Sequence, residues 1–192
     1  MQIHDGRLDG ARQLASPNCD NRPDDEISLL VIHNISLPPG QFGGAWIDDL
    51  FTNQLDPEQH DYFSEIYQMR VSSHVLIRRD GEIVQYVPFN KRAWHAGESS
   101  FGGRAACNDF SIGIELEGTD TDPYTDEQYQ QLAVLIAGLQ DHYPYITHDR
   151  ITGHCDIAPG RKTDPGDIFD WDRVWTLLDR EIALRDNNQN PK

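Results

Sequence analysis

Near the end of the chain, residues 152–166 read TGHCDIAPGRKTDPG and bring His154, Cys155, Asp156, Arg161, Lys162 and Asp164 together among prolines and glycines. Gly153, Pro159, Gly160, Pro165 and Gly166 punctuate the segment as loop, unsuited to a regular helix or strand. Loops carry chemistry when a rigid scaffold aims them. A proline-bearing turn between His154 and Asp164 can bring both to one point, and His33, at the end of the apolar run ISLLVIH, can join them if strand and loop converge. Two imidazoles and a carboxylate make a zinc set that leaves the fourth position for water, as catalytic sites do. Such an ion would bring the pKa of the water towards about 7 and polarise a carbonyl oxygen.

Spacing alone leaves the ordinary reading open, in which each histidine is a satisfied polar residue; the compact HExxH pattern is absent. Lys162 falls on the same side of an extended chain as Asp164, where an ammonium can stabilise an oxyanion or simply form a surface ion pair. Glu115 is presented from a strand and can act as general base, a role for which Glu117 is equally suited. Cys155 beside His154 suggests a nucleophile and its base, but adjacent side chains diverge, so Cys155 reads as a small packing residue. His74 and His95 can line a cleft; His4, His60, His142 and His148 read as surface residues.

The elements that must position these groups are legible in outline. Ile27–His33 is a strand buried on both faces. Helical stretches are expected around Ala45–Leu50 and after Asp56-Pro57, an N-cap followed by proline at the first helical position. Ser73–Pro88 reads as two strands joined at Asp80-Gly81. In DFSIGIELEG, Ile112, Ile114 and Leu116 face one way while Gly113, Glu115 and Glu117 face the other. Thr125 and Gln128 form a capping box for a helix to about Asp141, and a last helix begins near Asp170 with Val174, Trp175 and Leu178 buried. Strands and helices mixed without strict alternation imply an α/β (α+β) domain, a central mixed sheet flanked by helices.

The chain of 192 residues is expected to be one domain over 1–192, with a core of about 27–182, acting as a monomer. A net charge of −16 argues against nonspecific binding to nucleic acid or to an anionic membrane. The grouped bases Arg70, Arg78, Arg79, Lys91, Arg92, Arg104, Arg161 and Lys162 still allow an acidic small molecule to be held. Cys19, Cys107 and Cys155 do not form a disulfide framework, which suits a reducing compartment. The start MQIHDGRLDG lacks a cationic region followed by an apolar run, and a cytoplasmic protein is expected.

Four blocks, VIHNISLPPGQFGG, RVSSHVLIRRDGEIVQYVPFNKRAWHAG, NDFSIGIELEG and TGHCDIAPGRKTDPG, together resemble, in order and along nearly the whole chain, the AmpD-type N-acetylmuramoyl-L-alanine amidases. That family belongs to the zinc amidase superfamily that includes peptidoglycan-recognition proteins, and the resemblance implies their fold. It makes His33, His154 and Asp164 the zinc ligands, gives Glu115 the water-activating role and gives Lys162 the oxyanion. Tyr62, Arg70, Trp94, His95 and Arg161 match substrate-binding positions. Where the family carries arginine before the cysteine of the CNDFS segment, this chain has Ala106, and Arg104 is the available substitute. The resemblance further implies hydrolysis of the amide between the lactyl group of (1,6-anhydro-)N-acetylmuramic acid and L-alanine in wall recycling, with an indirect effect on β-lactamase induction. The rival readings are a muramyl-peptide binding module without catalysis and a zinc peptidase that cuts within the stem.

Overall fold

Residues 1–189 are described by the computed structural model, and its elements follow the apolar runs of the chain. In order they are β1 (Ile3–His4), β2 (Arg7–Leu8), β3 (Arg12–Gln13), β4 (Cys19–Asn21), β5 (Leu29–Ile35), α1 (Trp46–Phe51) and α2 (Phe63–Ile66). The middle of the chain adds β6 (Val75–Ile77), β7 (Ile83–Gln85), β8 (Lys91–Ala93), β9 (Ser100–Phe101), β10 (Arg104–Ala105) and β11 (Ser111–Glu117). The last part gives α3 (Asp126–His142), β12 (Ile151–Gly153), α4 (His154–Ile157) and α5 (Trp171–Gln189).

One six-stranded sheet, in the order β12-β5-β11-β6-β7-β3, organises the molecule. Its neighbours run parallel except β6 and β7, the hairpin read from Asp80-Gly81, where Gly81 takes a φ of 86° that a side chain would resist. The sheet is therefore mixed and helix-flanked, as the composition of elements implies. The two apolar runs become its central strands, and all seven residues of β11 are buried.

Alternation along these strands separates two environments. Leu30, Ile32, Ile112, Ile114 and Leu116 point to the face covered by α3 and α5, where they meet Leu132, Ile136, Leu139, Val174 and Leu178. Burial of each such side chain contributes roughly 1.5–3 kcal/mol. The capping box of α3 is present: Gln128 N donates to Thr125 Oγ1 and Thr125 N to the Gln128 side chain, both at 3.1 Å. On the opposite face, α1 and α2 pack over Leu76, Val84 and Tyr86, while Leu29, Val31, Phe110 and Ile157 form a separate small cluster. His33 and Glu115 lie on this second face, in a cavity that neither apolar cluster closes.

Two expectations are corrected. The 152–166 segment is not all loop: Ile151–Gly153 pairs in parallel with Leu30–Ile32, and His154–Ile157 makes one helical turn. The Asp156 carboxylate accepts Gly153 N at 3.0 Å and so closes that turn. Asp56-Pro57 opens a turn, with Glu58 N donating to Asp56 Oδ1 at 2.9 Å, and the helix starts only at Phe63. The intervening residues are polar; Phe63 and Ile66 supply the first apolar face that packing can reward. The N-terminal strands also belong to the domain, since Ile3 and Leu8 sit in the main core and β3 pairs with β7. Among the described residues no helix is long and apolar enough to cross a membrane.

Candidate metal centre

Parallel pairing places Glu115 directly opposite His33, so two polar side chains from adjacent strands enter the same space. Strand β12 flanks β5 on its other side, and α4, starting at the strand's end, delivers His154. The chain then returns: Cys155 N donates to Asp164 O at 2.9 Å, and this backbone bond fixes the loop that brings Asp164 back beside His154. Tyr124 Oη donates to Pro165 O at 2.8 Å and anchors the far side of the loop.

The result is a triangle of donor atoms. His33 Nδ1 lies 2.9 Å from His154 Nδ1 and 3.0 Å from Asp164 Oδ2, and His154 Nδ1 is 3.0 Å from the same oxygen. Among the described residues this is the group of histidine, cysteine and carboxylate side chains arranged to hold a metal ion. His33 and His154 are buried, and the Asp164 side chain is 13% exposed.

The electrostatics suit cation binding. Burial pulls the His33 pKa down to about 4, against the opposing pull of Asp164, so the ring is neutral near pH 7 and its nitrogen is available as a ligand. Burial works against ionisation of Asp164, but the adjoining rings of His154 and His33 outweigh it and hold the carboxyl below the usual range. Glu115 is displaced the other way: burial raises its pKa well above the ordinary carboxylate value, the negative Asp164 adds to this, and Lys162 offsets part of it. Glu115 Oε2 is buried with no hydrogen-bond partner among the described residues.

The cavity over these groups has a volume of about 360 Å³. His33, His95, Glu115, His154, Lys162 and Asp164 form its polar part, while Leu50, Phe51, Tyr62, Ile66, Met69 and Trp94 make an apolar wall. Glu117, two residues along the same strand, is differently engaged. Its carboxylate accepts Gly43 N at 2.7 Å and Arg79 N at 3.2 Å and pairs with Arg78 at 3.4 Å, outside the cavity that holds Glu115. The structure thus separates two carboxylates that the sequence left equivalent.

Other residues of interest stand apart from the cavity. Arg70 is exposed and bonds the Met69 carbonyl at 3.3 Å, one residue from the cavity wall. Arg161 donates to Ala96 O at 2.6 Å and Glu98 O at 2.5 Å. Arg104 pairs with Glu26 at 2.8 Å and covers the Phe110 ring, and neither it nor Ala106 lines the cavity. His74 is fully buried and does not line the cleft: Gly113 N donates to its Nδ1 at 3.0 Å and its Nε2 faces Lys91 O at 3.0 Å. Cys155 is a free, half-buried thiol whose pKa burial pushes up, which makes it a poor nucleophile. Sequence reasoning missed Asn108, Ser111 and the Ala96 carbonyl, which support the histidines from behind; their short polar side chains and bare backbone leave no pattern to read.

Residues 23–167 match the family model described as N-acetylmuramoyl-L-alanine amidase. The 1,6-anhydro-N-acetylmuramyl-L-alanine amidase AmpD of Escherichia coli K12 is 64% identical over 184 residues, which span 95% of this chain and 100% of that protein. A crystal structure of a selenomethionine derivative of AmpD superposes with a TM-score of 0.90 at 64% identity, covering 93% of this chain and 99% of that one. The E. coli amidase AmiD, solved with anhydro-N-acetylmuramic acid-L-Ala-D-γ-Glu-L-Lys, is 29% identical with a TM-score of 0.58 over 89% of this chain and 60% of its own.

Proposed function

The chain belongs to the N-acetylmuramoyl-L-alanine amidase family, and from that membership we propose that His33, His154 and Asp164 hold a zinc ion that serves its reaction. The protein hydrolyses the amide between the lactyl group of 1,6-anhydro-N-acetylmuramic acid and L-alanine, in the recycling of cell-wall fragments. The observation that carries the metal reading is the donor triangle opening into the same cavity as the unpartnered carboxylate of Glu115.

The residues fit the ion. Tetrahedral zinc with ligands at about 2.0–2.1 Å has ligand-to-ligand edges of about 3.3–3.4 Å, and the triangle of 2.9–3.0 Å is slightly tighter. Two imidazole nitrogens favour zinc over magnesium or calcium, which take oxygen ligands. Three protein ligands leave a position open, the pattern of a catalytic site. When bound, zinc supplies Lewis acidity, polarising the scissile carbonyl and making an attacking water more acidic.

This chain's own residues do the rest. Glu115, with its proton affinity raised by burial, accepts the proton of the attacking water and returns it to the L-alanine nitrogen, which must be protonated to leave. Lys162 places its ammonium at the cavity edge, where it stabilises the oxyanion of the tetrahedral intermediate. Tyr62 and Trp94 contact the muramyl part from the apolar wall. Arg70, exposed beside that wall, is suited to the carboxylates of the stem peptide. We place the reaction in the cytoplasm, in keeping with recycling.

Mass analysis after incubation with an anhydro-muramyl tripeptide tests the reading. Free anhydro-sugar and an intact tripeptide are expected, with activity lost to a chelator and regained with zinc. An unaltered ligand would make the protein a binding module, and a shortened stem a peptidase.

A further inference from the structure

Both histidines of the donor triangle are supported from behind by one two-residue strap. Asn108 Oδ1 accepts His95 N at 3.1 Å and Ala96 N at 2.8 Å, which fixes the strap's backbone. Ala96 O faces His154 Nε2 at 3.1 Å and also accepts Arg161 Nη2 at 2.6 Å. A carbonyl only accepts, so His154 carries its proton on Nε2 and turns the lone pair of Nδ1 to the triangle. Arg161, matched to a substrate position in the sequence, thus holds the strap.

His33 has no such carbonyl. Its Nε2 lies 2.9 Å from His95 Nδ1, and His95 Nε2 lies 3.2 Å from Ser111 Oγ. For Nδ1 of His33 to present a lone pair, Nε2 must donate, so His95 Nδ1 must accept and His95 Nε2–H must donate to the serine. The Ser111 hydroxyl accepts as well as donates, so it accommodates this order. A second, independent feature serves the same ring. A Cβ built on Gly113 would stand 2.5 Å from His95 Cγ and 2.6 Å from its Nδ1, with Gly113 outside the left-handed region, so the glycine is there for room and not for conformation.

We propose that His95 is a positioning residue of the metal centre: its Nδ1 accepts the Nε2 proton of His33 and so holds His33 in the metal-binding tautomer, with Ser111 and Gly113 keeping the His95 ring in place. The inference rests on the zinc reading above. It replaces a substrate contact for His95, both of whose ring nitrogens are already engaged. Outer partners of this kind typically carry 10–100-fold in metal affinity.

Zinc affinity, measured by competition with a fluorescent chelator, separates the possibilities. His95→Phe keeps the volume without the acceptor and is expected to bind zinc about 10–100-fold more weakly. His95→Asn, whose carboxamide oxygen falls where Nδ1 stands, is expected to recover most of that loss. Ser111→Ala is expected to fold normally by circular dichroism and to bind zinc several-fold more weakly. In zinc-loaded protein, nitrogen-15 imidazole spectra should show His95 protonated on Nε2 and bare on Nδ1. Wild-type affinity in His95→Phe, or no recovery in His95→Asn, overturns the proposal; if His95→Phe does not fold, unchanged affinity in Ser111→Ala does so. Failure of the wild type itself to take up zinc would refute the metal reading instead.

Discussion

Replacing Glu115 by Gln removes a buried negative charge that stands near a second carboxylate, Asp164, and whose Oε2 lacks a hydrogen-bond partner among the described residues. The folded-state pKa of Glu115 is raised, so the native protein holds this proton more tightly than the unfolded chain does. Its favourable contribution is fully present below the unfolded pKa and is lost as pH rises through the folded one. Zinc-free wild type therefore bears the cost of the charge only once the pH has risen through the folded-state pKa, and Glu115→Gln does not. A buried polar group without a partner costs about 1–3 kcal/mol and a charged one more; the amide retains the neutral share, so the gain is on the order of 1–2 kcal/mol. For a chain of this size that corresponds to roughly 2–8 °C in Tm. Scanning fluorimetry of zinc-free protein as a function of pH reads the effect directly. The gain should shrink as the pH falls and wild-type Glu115 takes up its proton. A difference in melting that does not grow in favour of Glu115→Gln as the pH rises would refute the account of Glu115. The same substitution should lower kcat by about 10²-fold or more, because the amide cannot accept the water proton.

Lys162→Ala should lower kcat by about 10²–10³-fold with zinc content unchanged, the loss expected for one oxyanion partner; an unaltered kcat with substrate saturating would remove Lys162 from the mechanism. Glu117→Ala should destabilise the fold by about 3 kcal/mol, since it strips a buried partner from Arg78 and leaves the backbone N–H groups of Gly43 and Arg79 unmet. Urea unfolding measures that cost, and a change below about 0.5 kcal/mol would contradict it.

Much of the scaffold was legible because its signals are local. ISLLVIH and DFSIGIELEG are long enough for apolar patterning to name them strands, Asp80-Gly81 marks its own turn, and Thr125 with Gln128 announces a helix. The alternation in β11 correctly put Glu115 on the face away from the core. Features that depend on distant partners were not legible. Ile151–Gly153 is too short to declare itself and becomes a strand only by pairing with β5. Gly113 reads as a weak point in a strand until the ring of His95 is seen to fill its side. Glu115 and Glu117 have the same chemistry and the same facing in the sequence; only the Arg78 pair and the Gly43 amide, brought by the fold, assign one to structure and leave the other free. The proposed metal ligands rest on motif resemblance, whereas the strap behind them needed coordinates.

The donor triangle has a consequence for folding as well as for catalysis. His33 and His154 are 121 positions apart, and His154 and Asp164 are 10 apart. An ion bound by all three ties the second strand of the sheet to a loop at the far end of the chain, a reversible cross-link in a protein with no disulfide among its described residues. Ligands that bind only the folded chain stabilise it by RT ln(1 + [L]/Kd), about 2.7 kcal/mol at a hundredfold excess over Kd. With zinc as that ion, its supply would set the stability of the folded enzyme together with its rate. In scarcity the cell would lose protein as well as turnover, and muropeptides would accumulate faster than the fall in specific activity alone predicts.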